Sequence, residues 1–329
     1  MPTTVKPIAP ASPDGVPLRA AGRLFYRVSG RTVSSNFVFP ELLESDGPAQ
    51  WHFELVHGPA PESVPPPACF HNWSLPDGRV WLFVGRDGSE DVLRFPGMAE
   101  FRIAGDSITC QAVPDLPEDT LRHLFLDQVV PLLLSREGSL VLHASVAADS
   151  TRALAFVGST GFGKSTLAAS FAADGFEILT DDCVVLEGGD DGLRATPVYS
   201  SLRLLPETVE QLFPDHLPQA PVAHYSLKER IGSNAGVRFR TRAALLNRIY
   251  FLKPGPTVHV ESMSPREGFV EILKHAFMMN VDQRAALSAE FHAVARAAGQ
   301  PLFRRLFYPH DFTLLPSVHS EIFKDLQIA

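Results

Sequence analysis

The chain has 329 residues, 45 % of them apolar and 20 % charged, with a formal net charge of −8. A nucleic-acid binder needs an excess of Lys and Arg, and neither the total nor any basic run supplies one. No run of about 18 apolar residues is present to span a bilayer. The 3 cysteines, Cys69, Cys110 and Cys183, are scattered and lack CxxC spacing, which argues against a zinc site or a disulfide framework and fits a reducing cytoplasm. The length suits two domains.

Residues 1–20, rich in Pro, Ala and Thr, lack the apolar stretch of a signal peptide and read as a disordered lead-in. Residues 21–115 then hold short apolar stretches, Leu24–Val28, Trp51–Val56, Val80–Val84, Val92–Phe95 and Ile108–Val113, separated by Pro, Gly and Asp. They predict a small β-rich domain, with Trp51, Trp73 and Trp81 as core or partly buried aromatics. Such a domain serves either to take up a peptide on a sheet edge or to pack an oligomer, and its residues do not choose.

Residues 116–138 predict a linking helix. Glu118 and Asp119 suit its positive end, Leu121, Leu124, Phe125, Leu132 and Leu133 recur at helical spacing, and Gly138 stops it. Residues 139–329 change to strands alternating with helices. Leu140–Ala147 and Ala153–Val157 read as buried strands, Lys164–Ala173 as a helix ended by Gly175, and Phe176–Thr180 and Val184–Leu186 as strands. Ile249–Leu252 and Val258–Glu261 read as a strand pair. Ser264, Pro265 and Glu267 form a capping-box pattern at the start of a helix whose face Phe269, Leu273 and Phe277 is core. A helix over Gln283–Ala298, a strand over Leu302–Phe307 and a helix from Ser317 complete the chain.

The most specific signal is Gly158-Ser159-Thr160-Gly161-Phe162-Gly163-Lys164-Ser165, which matches GxxxxGK[ST] between a predicted strand and a predicted helix and continues into Thr166. The glycines let backbone N–H groups turn toward phosphate oxygens, and the helix start adds positive potential. Lys164 reaches the β and γ phosphates, and the Ser165 hydroxyl ligates Mg2+, so ATP with Mg2+ is the expected ligand.

Asp181 and Asp182 end the next strand, at the sheet edge where ligands bind in α/β proteins. On an extended backbone their carboxylates point to opposite sides, one toward the metal or the attacking group and the other toward a neighbouring loop. His143 is predicted mid-strand among apolar neighbours, which by itself reads as a hydrogen-bonded core residue.

The order Leu142-His143-Ala144-Ser145, then Gly158 to Thr166, then Leu179-Thr180-Asp181-Asp182 resembles the catalytic domain of bacterial HPr serine kinase/phosphorylase. The resemblance implies an α/β P-loop kinase domain of the HPr kinase/PEP carboxykinase-like type behind the small β-rich domain. It also implies a catalytic set of His143, Lys164 and Asp182, with Asp182 as general base, Asp181 beside it, and Ser165 and Asp182 at Mg2+. Where the family carries Glu-Arg-Gly with a second Mg2+ ligand, this chain has Leu202 and Arg203. A family Pro-rich Arg-Asn loop is reduced to Pro265-Arg266, so reverse phosphorolysis is not expected.

These departures, with the endings Leu306-Phe307-Tyr308-Pro309 and Leu315-Pro316-Ser317-Val318-His319, look like the HPr-kinase-related proteins of peptide-biosynthesis clusters, among them lasso-peptide kinases. The resemblance implies ATP-dependent phosphorylation of a serine hydroxyl on a precursor peptide, near its C-terminus, and the cysteine pattern places such an enzyme in the cytoplasm. Arg203, Lys228, Arg230 and Arg266 are the basic candidates for contacts to nucleotide or peptide. Rival readings are an HPr-type regulatory kinase or small-molecule kinase of the same fold, and a nucleotide-gated peptide-binding module without chemistry. Nucleic acid and membrane are not expected partners, and a homo-oligomer is left open.

Overall fold

The computed structural model describes residues 22–75, 77–189, 191–278 and 284–327. The lead-in over residues 1–20 and the expected helix start at Gln283 lie outside these residues. Among the described residues no helix is long and apolar enough to cross a membrane.

The first part is one nine-stranded sheet: β1 (Leu24–Val28), β2 (Arg31–Ser35), β3 (Leu43–Glu44), β4 (Trp51–His57), β5 (Ala68–Ser74), β6 (Val80–Asp87), β7 (Glu90–Phe95), β8 (Ala99–Ala104) and β9 (Ser107–Ala112), in the order β3-β1-β2-β4-β9-β8-β7-β6-β5. Ser29 and Gly30, both at positive φ, close the β1–β2 hairpin, as a two-residue turn that matches strand twist requires. Strand β2 has no apolar alternation to predict it, yet it is central. Its buried hydroxyls are satisfied locally, Ser34 Oγ pairing with His52 Nδ1 at 2.8 Å and Ser35 Oγ donating to the Phe37 carbonyl at 2.8 Å. Strand β5 is also missing from the sequence reading, because most of it faces solvent at the sheet's edge.

The helical segment is more than a link. It runs as α1 (Glu118–Leu124), a π-helical turn (Phe125–Val129) and α2 (Val130–Arg136). Its apolar stripe fills the same core as the sheet, where the Phe125 ring lies 4.6 Å from that of Phe53 and 5.2 Å from that of Phe39. Val141, Cys183, Val185, Val198 and Tyr199, from the following α/β part, belong to that core too.

The α/β part comprises β10 (Leu140–Leu142), β11 (Ala144–Ala148), β12 (Ala153–Val157), α3 (Lys164–Ala173), β13 (Glu177–Thr180), β14 (Val184–Gly189), β15 (Gly192–Pro197), β16 (Arg203–Leu204), α4 (Pro206–Leu212), β17 (Glu229–Arg230), β18 (Arg238–Phe239), β19 (Ala244–Leu245), β20 (Arg248–Pro254), β21 (His259–Ser262), α5 (Pro265–His275), α6 (Arg284–Ala298), β22 (Phe303–Tyr308) and α7 (Leu315–Gln327). A mixed sheet of order β18-β13-β11-β12-β20-β22-β21 is its centre, flanked by an antiparallel sheet β10-β14-β15-β19 and a short β16–β17 pair. Along β12, Leu154 and Phe156 enter one core while Ala153, Ala155 and Val157 enter the other. That is the period-two alternation of a strand covered on both faces.

Two sequence expectations are corrected. Leu140–Ala147 is not one strand, because the chain leaves the β10 sheet and joins the β11 sheet at His143, which stands at the crossing rather than mid-strand. The second concerns β20 and β21, which do not pair with each other. Strand β22 inserts between them, parallel to β20 and antiparallel to β21, a long-range insertion that the local turn residues do not signal. The cap of α5 does form. The Ser264 side chain accepts from the Glu267 N–H, and the Glu267 carboxylate accepts from the Ser264 N–H at 2.9 Å. Ser264→Ala is expected to cost about 1 kcal/mol in a urea titration. A change within error would mean that Pro265 alone holds the helix start.

Candidate active site

Strand β12 delivers the chain into a turn that ends at α3. Gly161 and Gly163 have φ of 85° and 83°, the left-handed region that favours glycine. Gly163 is constrained twice, since a Cβ there would lie 2.6 Å from the Tyr308 hydroxyl oxygen. That hydroxyl donates to the Phe162 carbonyl at 2.9 Å and so ties β22 to the loop. Within the turn the Phe162 N–H donates to the Ser159 carbonyl at 3.1 Å. Among the described residues, the amides of Gly161, Gly163, Lys164 and Ser165 have no protein acceptor. Free N–H groups at a helix start form an anion site. Lys164 Nζ donates to the Gly158 carbonyl at 2.8 Å. Burial pulls its ammonium pKa down, against the charges of Asp182 and Asp181, which hold it up.

Strand β13 delivers the two aspartates, and here the expectation of an extended backbone fails. Asp182 has φ 75°. A non-glycine residue in this region costs of order 1–3 kcal/mol and persists only where its surroundings hold it. Three contacts hold this one. Arg203 Nη2 donates to Asp182 Oδ2 at 2.5 Å, His143 Nε2 lies 3.1 Å from Asp182 Oδ1, and the Asp181 main-chain carbonyl accepts from Arg203 at 3.3 Å. Burial would push the Asp182 carboxyl up. Arg203, Lys228 and His143 outweigh it and hold the group well below the ordinary carboxylate range.

Asp181 is fully buried and knits three segments together. Its Oδ1 accepts from Ser145 Oγ at 2.5 Å and from Ser165 Oγ at 2.9 Å, and its Oδ2 accepts from the Arg203 amide at 3.1 Å. Lys228 Nζ reaches the same Ser165 hydroxyl at 3.2 Å. The sheet switch at His143 serves the site as well, since the His143 amide donates to the His275 carbonyl at 2.9 Å. The His275 ring is pushed down to about 4, chiefly by burial, and is neutral near pH 7.

Behind Asp182 lies a further group of largely buried residues, in which Arg203 was a candidate from the sequence and Asp127 and His123 were not. Arg203 is wholly buried and also donates to Asp127, which sits in the π-helical turn. Asp127 accepts from the Tyr199 hydroxyl at 2.7 Å, and its other oxygen lies 2.7 Å from His123 Nδ1. Burial raises the Asp127 carboxyl, and Arg203 and His123 reverse this to a net lowering. The available signal was a carboxylate set in the apolar stripe of a helix, four residues after a histidine.

The four basic candidates part company. Lys228 stands in the site, and Arg203 is a buried brace rather than a surface contact. Arg230 donates to Glu41 at 2.6 Å and is thereby engaged with the first part of the chain. Arg266 is exposed in the first turn of α5, whereas the cleft is lined by the other end of that helix, Lys274 and His275. Leu202 is fully buried in the core that holds Leu167 and Phe171, so it ligates nothing. Thr166 lines the cleft, and its hydroxyl lies 3.3 Å from that of Thr208.

The loop, Asp182, His143, Arg203 and Lys228 line one cleft of about 930 Å³, within the size of small-ligand sites. The donor set fits a triphosphate, with free amides, Lys164 and Lys228 at one place. Among the described residues no cluster of three or more His, Cys, Asp or Glu could hold a metal by itself. Mg2+ bound through phosphates with one or two carboxylates needs none. Ser165, Asp181 and Asp182 are the residues that would hold it.

No family model and no curated protein matches the chain. A solved structure described as the Hpr(Ser) kinase/phosphatase from Coxiella burnetii is similar over 56 % of this chain and 95 % of its own, at 9 % identity and a TM-score of 0.28. A likeness at that level establishes neither fold nor activity.

Proposed function

We propose that the protein is an ATP-dependent serine kinase that phosphorylates a serine hydroxyl on a peptide or protein, with ATP and Mg2+ bound at the Gly158–Thr166 loop. The observation that carries this reading is the strained Asp182, an ionised carboxylate held between His143 and Arg203 in the cleft that Lys164 and Ser165 line. A loop that binds phosphate needs no such residue, whereas transfer to a hydroxyl does.

In the transfer, the bond between the acceptor oxygen and the γ phosphorus forms as the bond from that phosphorus to the β–γ bridging oxygen breaks. The hydroxyl proton passes to the Asp182 carboxylate, and ADP leaves with the bridging electron pair. Lys164 and Lys228 stabilise the negative charge spread over the phosphoryl oxygens. His143 and Arg203 orient Asp182, and Asp181 holds Ser165 and the Arg203 backbone in register. Bound Mg2+ would neutralise charge on the β and γ phosphates.

For the acceptor, the resemblance carried by the departures at Leu202 and Pro265-Arg266 and by the endings Leu306–Pro309 and Leu315–His319 supports a lasso-peptide precursor, modified near its C-terminus. Incubation of candidate precursor peptides with ATP and Mg2+, followed by mass spectrometry, is expected to give a phosphoserine-sized gain. Phosphorylation of a metabolite alone would favour the small-molecule reading, and confirmed ATP binding without transfer to any acceptor would favour a binding module.

A further inference from the structure

The cleft continues past Asp182 to the first sheet, and its wall there is apolar and exposed. Trp73 is 40 % exposed, Tyr225 38 % and Leu227 75 %, and all three line the cleft with Trp81. The wall is continuous with the charged centre on two flanks. On one, His123, in contact with Arg203, has its ring 5.8 Å from that of Tyr225, which lies 4.7 Å from that of Trp81. On the other, the Phe277 ring lies 6.2 Å from that of His143. Trp73 belongs to β5, the last strand of its sheet, whose outer edge has no strand partner among the described residues. Five of the seven β5 residues are exposed.

These features select an occupant. Trp73, Trp81, Tyr225 and Leu227 carry no charge, so these four side chains offer a phosphorylated or carboxylate metabolite no counter-ion, and Lys228, next to Leu227, is turned to Ser165. An open strand edge offers a row of main-chain donors and acceptors, which another extended polypeptide can pair as a further strand. Apolar side chains on that polypeptide would remove the exposed indole and leucine surface from water.

We propose that this wall docks the acceptor as an extended polypeptide. It adds along the β5 edge, sets a bulky apolar side chain against Trp73 and Leu227, and leads its hydroxyl residue to Asp182. The proposal rests on the kinase reading above and assigns the nine-stranded sheet the task of substrate recognition.

The test uses the full chain and short synthetic peptides with one serine, flanked either by Phe and Leu or by Asp. Transfer from ATP with Mg2+ and intrinsic tryptophan emission are both recorded. Peptides with apolar flanks are expected to be phosphorylated preferentially and to shift the emission saturably. Leu227→Asp is expected to raise the peptide KM about tenfold, the size of one lost apolar anchor, while the KM for ATP is kept. Leu227→Met is expected to restore the peptide KM. An unchanged peptide KM in both Leu227→Asp and Trp73→Ser, or equal use of free serine, would overturn the docking proposal while leaving the kinase standing. If wild type transfers phosphate to no acceptor, the kinase reading fails and emission still decides the wall. A saturable shift abolished by Leu227→Asp upholds it, and the absence of any shift overturns it.

Discussion

Asp182→Asn is expected to lower kcat for phosphoryl transfer by roughly 10²–10⁴-fold, the usual contribution of a positioned general base. Asparagine nearly matches aspartate in size, and its one carbonyl oxygen can still accept from Arg203 while its NH2 group faces His143 Nε2, which then serves as the acceptor, so the strained turn keeps its braces. What it cannot do is take a proton. Single-turnover phosphorylation in excess enzyme isolates the chemical step from product release, and retention of the wild-type rate there would exclude Asp182 as the acceptor. The pH dependence follows from the same environment. Asp182 is held well below the ordinary carboxylate range, so it is already ionised at neutral pH. The acid limb of the wild-type profile that belongs to this group should therefore lie below about pH 3.9.

Arg203→Met is expected to destabilise the fold by about 3–5 kcal/mol at neutral pH, because it leaves Asp127 and Asp182 without their shared counter-charge. The sign of the pH effect is fixed by the direction of the shifts. Both carboxyls are depressed in the folded protein, so their contribution is present above the unfolded value of roughly 3.9 and is lost as pH falls through the folded values. In the variant, loss of Arg203 moves both groups up from their wild-type values, while Lys228, His143 and His123 still act on them. The gap between wild type and variant should therefore narrow as the pH falls into the acid range, as the variant takes up protons first. Urea titrations across the acid range read this directly, and a gap independent of pH would mean that Arg203 acts by packing alone. Arg203→Lys is not expected to rescue, since one ammonium cannot reproduce a planar fork that spans Asp127, Asp182 and the Asp181 carbonyl.

These two variants separate chemistry from support. Asp182→Asn removes the proton acceptor and keeps the brace, whereas Arg203→Met removes the brace and drives the acceptor toward its protonated form. The brace reaches back to the π-helical turn, where a wider backbone winding sets the buried Asp127 against Arg203. A helix that filled a core and nothing more would carry an apolar residue there.

Much of the loop chemistry was legible because it is local. Gly161 and Gly163 need only their own φ, Lys164 and Ser165 follow within one turn of helix, and the Ser264 cap closes over three residues. Strong apolar runs such as Trp51–Val56 and Ala153–Val157 were legible for the same reason, since side-chain periodicity is a property of adjacent residues. What the chain order alone could not decide were relations between distant segments. The switch of sheets at His143, the insertion of β22 between β20 and β21, the seating of Asp127 against Arg203 and the opening of β5 onto the cleft all depend on partners far apart in sequence. The left-handed Asp182 belongs with them. An aspartate has no intrinsic preference strong enough to announce that conformation, and only the converging Arg203 and His143 hold it there. By itself, then, the sequence determined a glycine-rich loop between a strand and a helix, with two carboxylates at the end of the next strand. Only the tertiary structure decided which carboxylate faces the cleft, what keeps it charged and which surface leads up to it, because those depend on contacts that exist only once the chain has closed on itself.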